Sequence, residues 1–271
     1  NPPSNVALMN ALARDFAESG FDLNRWTWKR KRKHWQHPIQ IVTPSKWLAE
    51  CVRESALMRD WPVTVIPNPI DIERWKPVDQ SLARQLLGLP KDVQLLLFGA
   101  AGGSSDPRKG FDLLKSALAH LHNEVDGLEL VIFGQLKPEC PPDLGFPVHY
   151  AGHLHDDLSL RILYCAADAF VLPSRQDNFP LTGMEALACA TPVISFDTSG
   201  APSMIEHLKT GYLAKPFDTT DLAAGIKWVL ESKNIRSLCT LAREFAVKNF
   251  APELIAAKYA SVYRSVLANK D

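Results

Sequence analysis

The chain lacks the marks of several protein classes. Its 30 basic and 30 acidic residues cancel over 271 positions, so no overall electric field favours nucleic acid as a partner. The five cysteines are scattered and odd in number, without zinc-site or redox-motif spacing, which predicts reduced and mostly buried thiols. No apolar run has the length that spans a bilayer, and no signal peptide is recognisable. We therefore expect a cytoplasmic protein.

Short apolar runs are what the chain does have, and they alternate with segments of helical periodicity. Apolar residues make up 46% of the sequence and charged residues 22%, which is ordinary for a globular protein. The runs at residues 93–98, 128–133, 148–150, 169–172 and 192–195 predict buried parallel strands. Because helical segments separate them, we predict an α/β fold with a Rossmann-like, doubly wound parallel sheet.

The first candidate site follows the strand predicted at 169–172. Asp177 precedes, and Glu185 lies within, a helix for which Thr182 is the expected N-cap. A sugar or ribose hydroxyl needs fixed acceptors such as these two carboxylates, and a phosphate needs the N–H groups at a helix start. On spacing alone, an ordinary strand–loop–helix unit with two solvated acids explains the pattern equally well.

A second strand–loop–helix unit follows the strand predicted at 93–98. Its loop, residues 99–106, is almost without bulky side chains, and Arg108 and Lys109 come directly before a helical pattern. Small residues allow a backbone to approach a ligand closely, and two adjacent cations suit a diphosphate. The loop matches neither of the common glycine-rich phosphate motifs, so a flexible turn with solvated cations is the alternative. Two such units in one domain favour an anionic ligand.

Four motifs in this order resemble those of the group 1 glycosyltransferases. They are VIPNPID at 65–71, RKGF at 108–111, ADAFVLPS at 167–174, and EALA with the nearby TPVI between 185 and 194. The resemblance extends from about Ile39 to the C-terminus. It implies the donor half of a GT-B fold and an enzyme that transfers a sugar from a nucleoside-diphosphate sugar to a saccharide or lipid-linked acceptor, with retention at the anomeric carbon. The co-substrate would be a UDP- or GDP-sugar, and no cofactor is implied.

The resemblance also implies roles for individual residues. Glu185 would hold the ribose hydroxyls of the donor and Asp177 the hydroxyls of the transferred sugar, although the family has glutamate where this chain has Asp177. Arg108 and Lys109 match the diphosphate-binding cations of the family, and these four residues are the candidate catalytic groups. Further donor contacts are expected at Gly102, Gly103, Gly152, His153, Asn178, Phe179, Pro180, Leu181 and Thr182. The nucleobase is expected near His153.

No metal site is predicted. Asp156 and Asp157 precede an expected helix and are interpreted as its cap, and residues 71–73 are interpreted as a turn. The negative charge that builds on the departing diphosphate would then be met by Arg108, Lys109 and the start of the helix near Thr182.

The organisation of the chain predicts three parts. Residues 1–75 would be a remnant of the acceptor-side domain and a linker, 76–250 the donor-binding domain, and 251–271 a C-terminal crossover helix that packs on the first domain. In an alternative interpretation the last helix covers the core of its own domain. A GT-B enzyme needs two Rossmann-like domains, roughly 350 to 400 residues at the usual domain size. We therefore expect this chain to be the C-terminal portion of a longer enzyme.

This expectation leaves a second function open, namely an isolated nucleotide-sugar-binding module that is inactive without its N-terminal domain. A third interpretation is a related GT-B epimerase or phosphorylase, although the lysine that would hold pyridoxal phosphate in a phosphorylase cannot be placed. By analogy alone, the resemblance points to the biosynthesis of bacterial surface polysaccharides or glycolipids.

Residues 25–35 are unusually basic and aromatic. They hold six lysines and arginines, no acid, and the tryptophans Trp26, Trp28 and Trp35. In one interpretation the tryptophans form the buried face of a helix. In another the segment makes peripheral contact with an anionic membrane, which would suit a lipid-linked acceptor. Contact with nucleic acid is the third alternative, and nucleic acid is not among the expected partners.

Overall fold

A six-stranded parallel sheet with helices on both faces forms the main body of the protein. This architecture is seen in a computed structural model, which describes residues 22–99, 106–122 and 124–268. A separate two-stranded parallel sheet precedes it in the chain. The predicted fold class, α/β with a doubly wound parallel sheet, is confirmed.

Within these residues the strands are β1 (Ile41–Thr43), β2 (Val63–Val65), β3 (Gln94–Gly99), β4 (Leu128–Phe133), β5 (Val148–Gly152), β6 (Ala169–Leu172), β7 (Val193–Phe196) and β8 (Gly211–Ala214). The helices are α1 (Leu23–His34), α2 (Lys46–Glu54), α3 (Gln80–Leu86), α4 (Phe111–Leu121), α5 (Asp157–Ala166), α6 (Leu181–Ala188), α7 (Thr219–Leu230), α8 (Ile235–Phe250) and α9 (Pro252–Ala268). Short 3₁₀ turns lie at Pro107–Lys109 and Ala201–Ser203.

The order of the strands creates a crevice at the centre of the large sheet. The order is β5-β4-β3-β6-β7-β8, and all neighbouring pairs are parallel. The chain therefore runs outward from β3 to β5 and then crosses back to β6 on the other side of β3. In such sheets the loops at this reversal diverge and leave room for a ligand at the carboxyl ends of the strands. The reversal lies where Phe98 of β3 pairs with Val171 of β6.

The central strands are buried because helices cover both of their faces. Every residue of β6 and β7 is buried, and β3 and β4 are buried along nearly their whole lengths. Helices α4 and α7 pack together on one face of the sheet, and α3, α5, α6 and α8 cover the other. Two hydrophobic cores result, one on each side of the sheet.

The five predicted strands are all found, with ends shifted by at most two residues. Sequence patterns do not reveal β8 or α3. Strand β8 is only four residues long and begins with Gly211, so its apolar run is short, and its Tyr212 and Leu213 are only half-buried. Helix α3 is polar, and one of its two buried residues is Arg84, which pairs with Asp168 at 2.7 Å and donates to three backbone carbonyls.

The upstream segment is tied to the main body by specific hydrogen bonds. The N–H of Ile70 donates to the carbonyl of Phe250 at 2.9 Å. The guanidinium of Arg243 donates to the carbonyls of Ile72 and Trp75 at 2.8 and 2.6 Å. Because Arg243 and Phe250 both belong to α8, this helix anchors the linker to the main body.

Helix α1 differs from the other helices because none of its described residues is buried. Trp26, Trp28 and the following Trp35 keep 44%, 42% and 42% of their surface exposed, so the predicted buried face of tryptophans is wrong. Cations of the helix itself cover all three rings, since Arg30 lies over Trp26, Arg32 over Trp28 and Lys31 over Trp35. Each of these cations is four positions from its tryptophan, the separation that brings side chains together on a helix surface.

Helix α9 packs against α8, and Ile255 is its one buried residue within the described part of the helix. Tyr263 and Leu267 are each 64% exposed. The apolar side of α9 therefore does not cover the core of the sheet, and its crossing to a first domain stays a prediction. Across the described ranges, no helix combines the length and the apolar character needed to cross a lipid bilayer.

Candidate functional site

A cavity of about 310 Å³ opens at the reversal between β3 and β6. Its floor comes from the carboxyl ends of these strands, and its rim comes from the loop before α6 and the first residues of that helix. The lining residues are Phe98, Gly99, Lys109, Leu172, Pro173, Ser174, Asp177, Phe179, Pro180, Leu181 and Thr182. Six predicted site residues therefore share one cavity, namely Lys109, Asp177 and the run 179–182.

Gly99, at the floor of the cavity, packs directly on the core and leaves no room for a side chain. A Cβ at this position would lie 2.2 Å from a ring carbon of Phe133. The Phe133 ring fills the space beside Gly99 and packs edge-on against Tyr164, with 6.0 Å between ring centres. The end of β3 therefore rests on aromatic side chains of the core.

An ion pair lies in the cavity. Lys109 Nζ is 2.8 Å from Asp177 Oδ2, and the two side chains keep 27% and 24% of their surface exposed. Lys109 comes from the turn after β3, whereas Asp177 comes from the loop after β6. The two units singled out in the sequence thus meet here. A ligand that has both an anionic and a hydroxyl part finds a cation and an acceptor side by side.

Arg108 points away from the cavity. Its guanidinium donates to both carboxylate oxygens of Asp106, at 3.1 and 2.8 Å, and 75% of the side chain is exposed. Asp106 also accepts the backbone N–H of Arg108 at 2.9 Å, which closes the turn. The guanidinium holds the pKa of Asp106 below its ordinary value. In this structure Arg108 shapes the turn that presents Lys109 and does not line the cavity.

The turn at Pro107–Lys109 is pressed against the end of β6. Gly110 has a left-handed φ of 67°, and a Cβ there would lie 2.0 Å from the carbonyl oxygen of Pro173. Glycine is the residue that permits this approach. Arg175 secures the other side, since its guanidinium donates to the Asp112 carboxylate at 2.7 and 2.6 Å and to a carbonyl of the turn.

The start of α6 adds backbone donors to the cavity. The helix begins at Leu181 with Pro180 as its N-cap, and no side chain caps it. The prediction that Thr182 is the N-cap is therefore wrong. Pro180 holds the extended backbone that ends the loop, with φ −68° and ψ 115°, so the helical conformation starts directly after it. Because the cap position carries no side-chain acceptor, the first N–H groups and the positive end of the helix dipole are left for an anion.

The loop before α6 is fixed from behind. Phe179 is buried, and its ring packs edge-on against Phe250 with 5.6 Å between ring centres. Asn178 Oδ1 accepts a hydrogen bond from the Ser45 hydroxyl at 3.0 Å, so this side chain reaches the upstream segment. A Cβ on Gly200 would lie 1.7 Å from the Asn178 carbonyl oxygen. Asn178, a predicted donor contact, thus supports the cavity without lining it.

Glu185 lies one helical turn after Leu181 and does not line the cavity. Its Oε2 accepts a hydrogen bond from the hydroxyl of the buried Tyr164 at 2.8 Å. Burial raises the pKa of Glu185 above its ordinary value; the bond from Tyr164 opposes this rise, and the charge of Asp157 adds to it. Glu185 is thus a half-buried acid with one oxygen already occupied.

The predicted contacts at the nucleobase end lie apart from this cavity. Gly152 ends β5, two strands away from β3, and has a left-handed φ of 69°. His153 follows it, with its ring stacked 6.2 Å from that of His155. Neither Gly152 nor His153 lines the cavity. Gly102 and Gly103 lie outside the described residues.

A second cavity, of about 480 Å³, lies beside β5 and is lined mainly by apolar side chains. Its polar lining residues are Lys137, His149 and Tyr150. No predicted site residue within the described ranges lines it. The cavity at the strand reversal therefore remains the candidate site.

The sequence itself decides the family. The model of the family described as glycosyl transferases group 1 matches residues 84–243, which is more than half of the chain. The chain belongs to the group 1 glycosyltransferases. The match includes both units that form the cavity, and it confirms the resemblance inferred from the motifs.

Two curated relatives show how much of such a glycosyltransferase is present. The D-inositol 3-phosphate glycosyltransferase of Geodermatophilus obscurus is 31% identical over 190 residues, covering 64% of this chain and 41% of that protein. The protein of the same name from Xylanimonas cellulosilytica is 30% identical over 247 residues, covering 83% of this chain and 58% of that protein. The chain thus spans about half the length of the curated relatives it matches.

Solved structures of glycosyltransferases share the fold. Sucrose-phosphate synthase of Thermosynechococcus elongatus superposes with a TM-score of 0.74 at 24% identity, over 97% of this chain and 66% of that one. HepE of Anabaena, solved in complex with UDP-glucose, superposes with a TM-score of 0.68 at 21% identity, over 90% and 70% of the two chains. These likenesses confirm the GT-B fold expected from the motifs.

Several residues that support the candidate site carry no motif signal. They are Ser45, Tyr164, Arg175 and Gly200. Tyr164 and Glu185 are 21 positions apart, and only the packing of α5 on α6 brings them together. In the part of the chain that the structure describes, no group of three or more His, Cys, Asp and Glu side chains is placed to hold a metal ion.

Proposed function

We propose that this chain forms the donor-binding half of a retaining glycosyltransferase, which moves a sugar from a UDP- or GDP-sugar to a saccharide or lipid-linked acceptor. The observation that carries the proposal is the pairing of Lys109 with Asp177, at 2.8 Å, in a cavity whose rim is a helix start without a capping side chain. Support also comes from relatives that are named glycosyltransferases and from HepE, which was solved with UDP and glucose.

The diphosphate of the donor binds between Lys109 and the start of α6. Lys109 supplies a full positive charge, and Leu181 and Thr182 lie in the first turn of the helix, whose N–H groups are suited to anions. Binding of the diphosphate replaces Asp177 as the partner of Lys109. This exchange frees the carboxylate to accept hydrogen bonds from hydroxyls of the transferred sugar.

The ribose lies toward Glu185, whose carboxylate is the acceptor for the ribose hydroxyls. Glu185 is separated from Leu181 by one turn of α6, so a nucleotide that follows the helix passes from the phosphate end to the ribose end. Arg108 is 75% exposed and paired with Asp106. It therefore acts from outside the cavity, through long-range electrostatic attraction of the diphosphate.

The transfer step breaks the bond between the anomeric carbon and the diphosphate oxygen. The electron pair leaves with the diphosphate, so negative charge grows beside Lys109 and the N-terminus of α6. Fixed charges and dipoles stabilise this charge without having to reorganise as the bond breaks. The acceptor hydroxyl bonds to the anomeric carbon on the face that the diphosphate leaves, which retains the anomeric configuration, and its proton passes to the departing diphosphate oxygen.

Calorimetry with a panel of UDP- and GDP-sugars, run beside a transfer assay on the same sample, tests the proposal. We expect one class of nucleotide sugar to bind, and the Lys109→Ala variant to bind it more weakly. Lys115 is exposed on α4 and does not line the cavity, so Lys115→Ala is the matched control. Absence of binding to every nucleotide sugar would contradict the proposal. A product whose anomeric configuration differs from that of the donor would contradict retention.

The same experiment separates the enzyme from an isolated nucleotide-sugar-binding module. The chain spans only 41% and 58% of the two curated relatives described above, which favours dependence on further sequence for transfer. Binding without transfer by this chain supports the module. Transfer by this chain alone shows that it is sufficient for the reaction.

We also propose that α1 makes peripheral contact with an anionic membrane. Its tryptophans are more than two-fifths exposed, and its cations supply the attraction to acidic headgroups, about 1 kcal/mol for each lysine or arginine near the surface. We expect co-sedimentation with vesicles of phosphatidylglycerol but not of phosphatidylcholine, weakened by salt and by Lys29→Glu/Lys33→Glu. The control is Lys115→Glu/Lys233→Glu, which reverses two exposed charges elsewhere. Equal sedimentation with both lipids would contradict an electrostatic contact.

A further inference from the structure

Tyr164 is buried completely, and its hydroxyl reaches Glu185. The ring is enclosed by Trp75, Phe133 and Phe170, with ring centres 5.9, 6.0 and 5.5 Å away. Three aromatic neighbours leave the ring little freedom to turn. The direction in which the hydroxyl points is therefore set by packing of the core.

The bond from this hydroxyl restricts what Glu185 can do. A buried hydroxyl needs a hydrogen-bond partner, and a bond to a charged acceptor is stronger than one between neutral groups. The bond occupies Oε2 of Glu185 at 2.8 Å and leaves Oε1 as the acceptor for a ligand. Without it, the carboxylate would be free to rotate about its terminal bonds, because longer side chains have many rotamers.

We propose that Tyr164 is a positioning residue for the ribose of the donor, because it orients Glu185 so that Oε1 accepts a hydrogen bond from a ribose hydroxyl. This inference rests on the proposed function, since it takes the site to bind a nucleotide. Tyr164 is too deeply buried to touch the ligand, and it acts only through Glu185.

The charged surroundings of Glu185 give the interaction a pH signature. Asp157 of α5 faces it as a like charge, Cys189 follows it at the end of α6, and Arg243 of α8 donates to a carbonyl at the end of α6. Burial raises the pKa of Glu185, and the Tyr164 bond counteracts this. Affinity for ribose should therefore rise with pH as Glu185 ionises. Loss of the hydroxyl should move this rise to higher pH.

Calorimetry compares the binding of UDP with that of its 2′-deoxy counterpart, with the GDP pair run beside it. The ratio of the two affinities measures the preference of the site for the ribose hydroxyl directly. We expect Tyr164→Phe to weaken binding of the ribonucleotide about tenfold, the size of a lost bond to a charged group. Binding of the deoxynucleotide should change less than twofold, and the pH midpoint of ribonucleotide binding should rise.

Tyr212→Phe is the matched control. Tyr212 also donates to a carboxylate, that of Asp221 at 2.9 Å, but it lies on the opposite face of the sheet. It should leave both the ribose preference and the pH midpoint unchanged. A shift in this control equal to that of Tyr164→Phe would show that the effect is general to the fold, and would overturn the proposal.

The remaining outcomes separate this inference from the proposed function. If the unmodified chain binds neither UDP nor GDP, the proposed function fails and the inference fails with it. If it binds and prefers the ribonucleotide, but Tyr164→Phe keeps the same preference and the same pH midpoint, only the positioning role is overturned. If Tyr164→Phe does not fold, 3-fluorotyrosine at position 164 keeps the ring and makes the hydroxyl a stronger donor. The pH midpoint should then fall, and an unchanged midpoint would overturn the role.

Discussion

The two units that meet in the cavity are held in place by different interactions. The cationic unit, residues 106–112, is tied by exposed ion pairs, and in the pair of Arg175 with Asp112 the side chains are 39% and 64% exposed. The acidic unit, residues 177–185, is held by buried groups, among them Phe179, which is 5% exposed. Ser45 and Tyr164, both fully buried, bond it from two other elements.

This difference sets how each unit responds to its surroundings. An exposed ion pair contributes about 0–1 kcal/mol and is screened by salt, whereas a hydrogen bond to a buried charge contributes about 1.5–3 kcal/mol. We therefore call the cationic unit the adjustable side of the cavity, because weak exposed ion pairs hold it. The acidic unit is the preset side, because buried groups hold it.

The largest expected effect comes from removing the cation at the point where the two units meet. Loss of one preorganised donor costs roughly 3 to 4 kcal/mol of transition-state stabilisation, so Lys109→Ala should lower turnover of the intact enzyme at least a hundredfold. Lys115→Ala should leave turnover unchanged. Steady-state rates at saturating donor check this expectation, and near-normal turnover in Lys109→Ala would refute the role of the cation.

The contact between the cationic unit and the end of β6 is the next target. Gly110→Ala adds a methyl group 2.0 Å from the Pro173 carbonyl oxygen, in addition to the strain of its left-handed backbone. Gly88→Ala has similar strain, at φ 65°, but nothing within 4 Å of the new atom. Urea unfolding should show a loss of stability larger by about 1–3 kcal/mol for Gly110→Ala, the usual cost of overpacking. Equal losses would show that the cationic unit does not press on the end of β6.

A smaller effect is expected on the preset side. Ser45 caps α2 by accepting the N–H of Leu48 at 3.2 Å, and it also donates to Asn178. Ser45→Ala should lower the free energy of unfolding by about 1–2 kcal/mol, because it removes a cap and a buried bond. Ser116→Ala, at an exposed serine of α4, is the control and should cost less than about 0.5 kcal/mol. A cost for Ser45→Ala no greater than that of the control would remove the distinction between the two sides.

The smallest effect belongs to the adjustable side. Arg175→Gln should change the free energy of unfolding by less than about 1 kcal/mol, because the pair with Asp112 is exposed. The guanidinium lowers the pKa of Asp112. The stabilisation is therefore present above the ordinary carboxyl pKa and is lost as pH falls through the lowered value. Thermal unfolding should show this acid dependence weakened in Arg175→Gln, together with the salt dependence. A loss that is large and insensitive to salt would contradict an adjustable cationic unit.

Elements with a continuous apolar run were predictable from the sequence. Strand β6 is four buried residues between loop residues, and β4 is six residues of which five are buried. In both, the length and the apolar pattern are those expected of a buried strand. The parallel arrangement followed, since helices alternating with such strands favour a parallel sheet. The position of the cavity followed in turn from the motifs at the ends of β3 and β6.

The parts that sequence reasoning missed depend on contacts between distant residues. Thr182 looked like a cap because threonine favours that position, but the preceding Pro180 starts the helix earlier. Arg108 and Lys109 are adjacent and equally charged, yet Asp106 draws Arg108 outward while Asp177 draws Lys109 inward. No local pattern distinguishes the two cations, because the difference arises from which acid the fold places near each of them.

The aromatic cluster beneath the cavity has a consequence for nucleotide choice. Phe133 fills the space beside Gly99, at the end proposed for the phosphates, and also packs on Tyr164, which bonds Glu185 at the end proposed for the ribose. Both ends of the site are therefore supported by one packed aromatic cluster, which fixes the distance between them. A nucleotide whose phosphates and ribose are further apart or closer together would contact only one of the two ends.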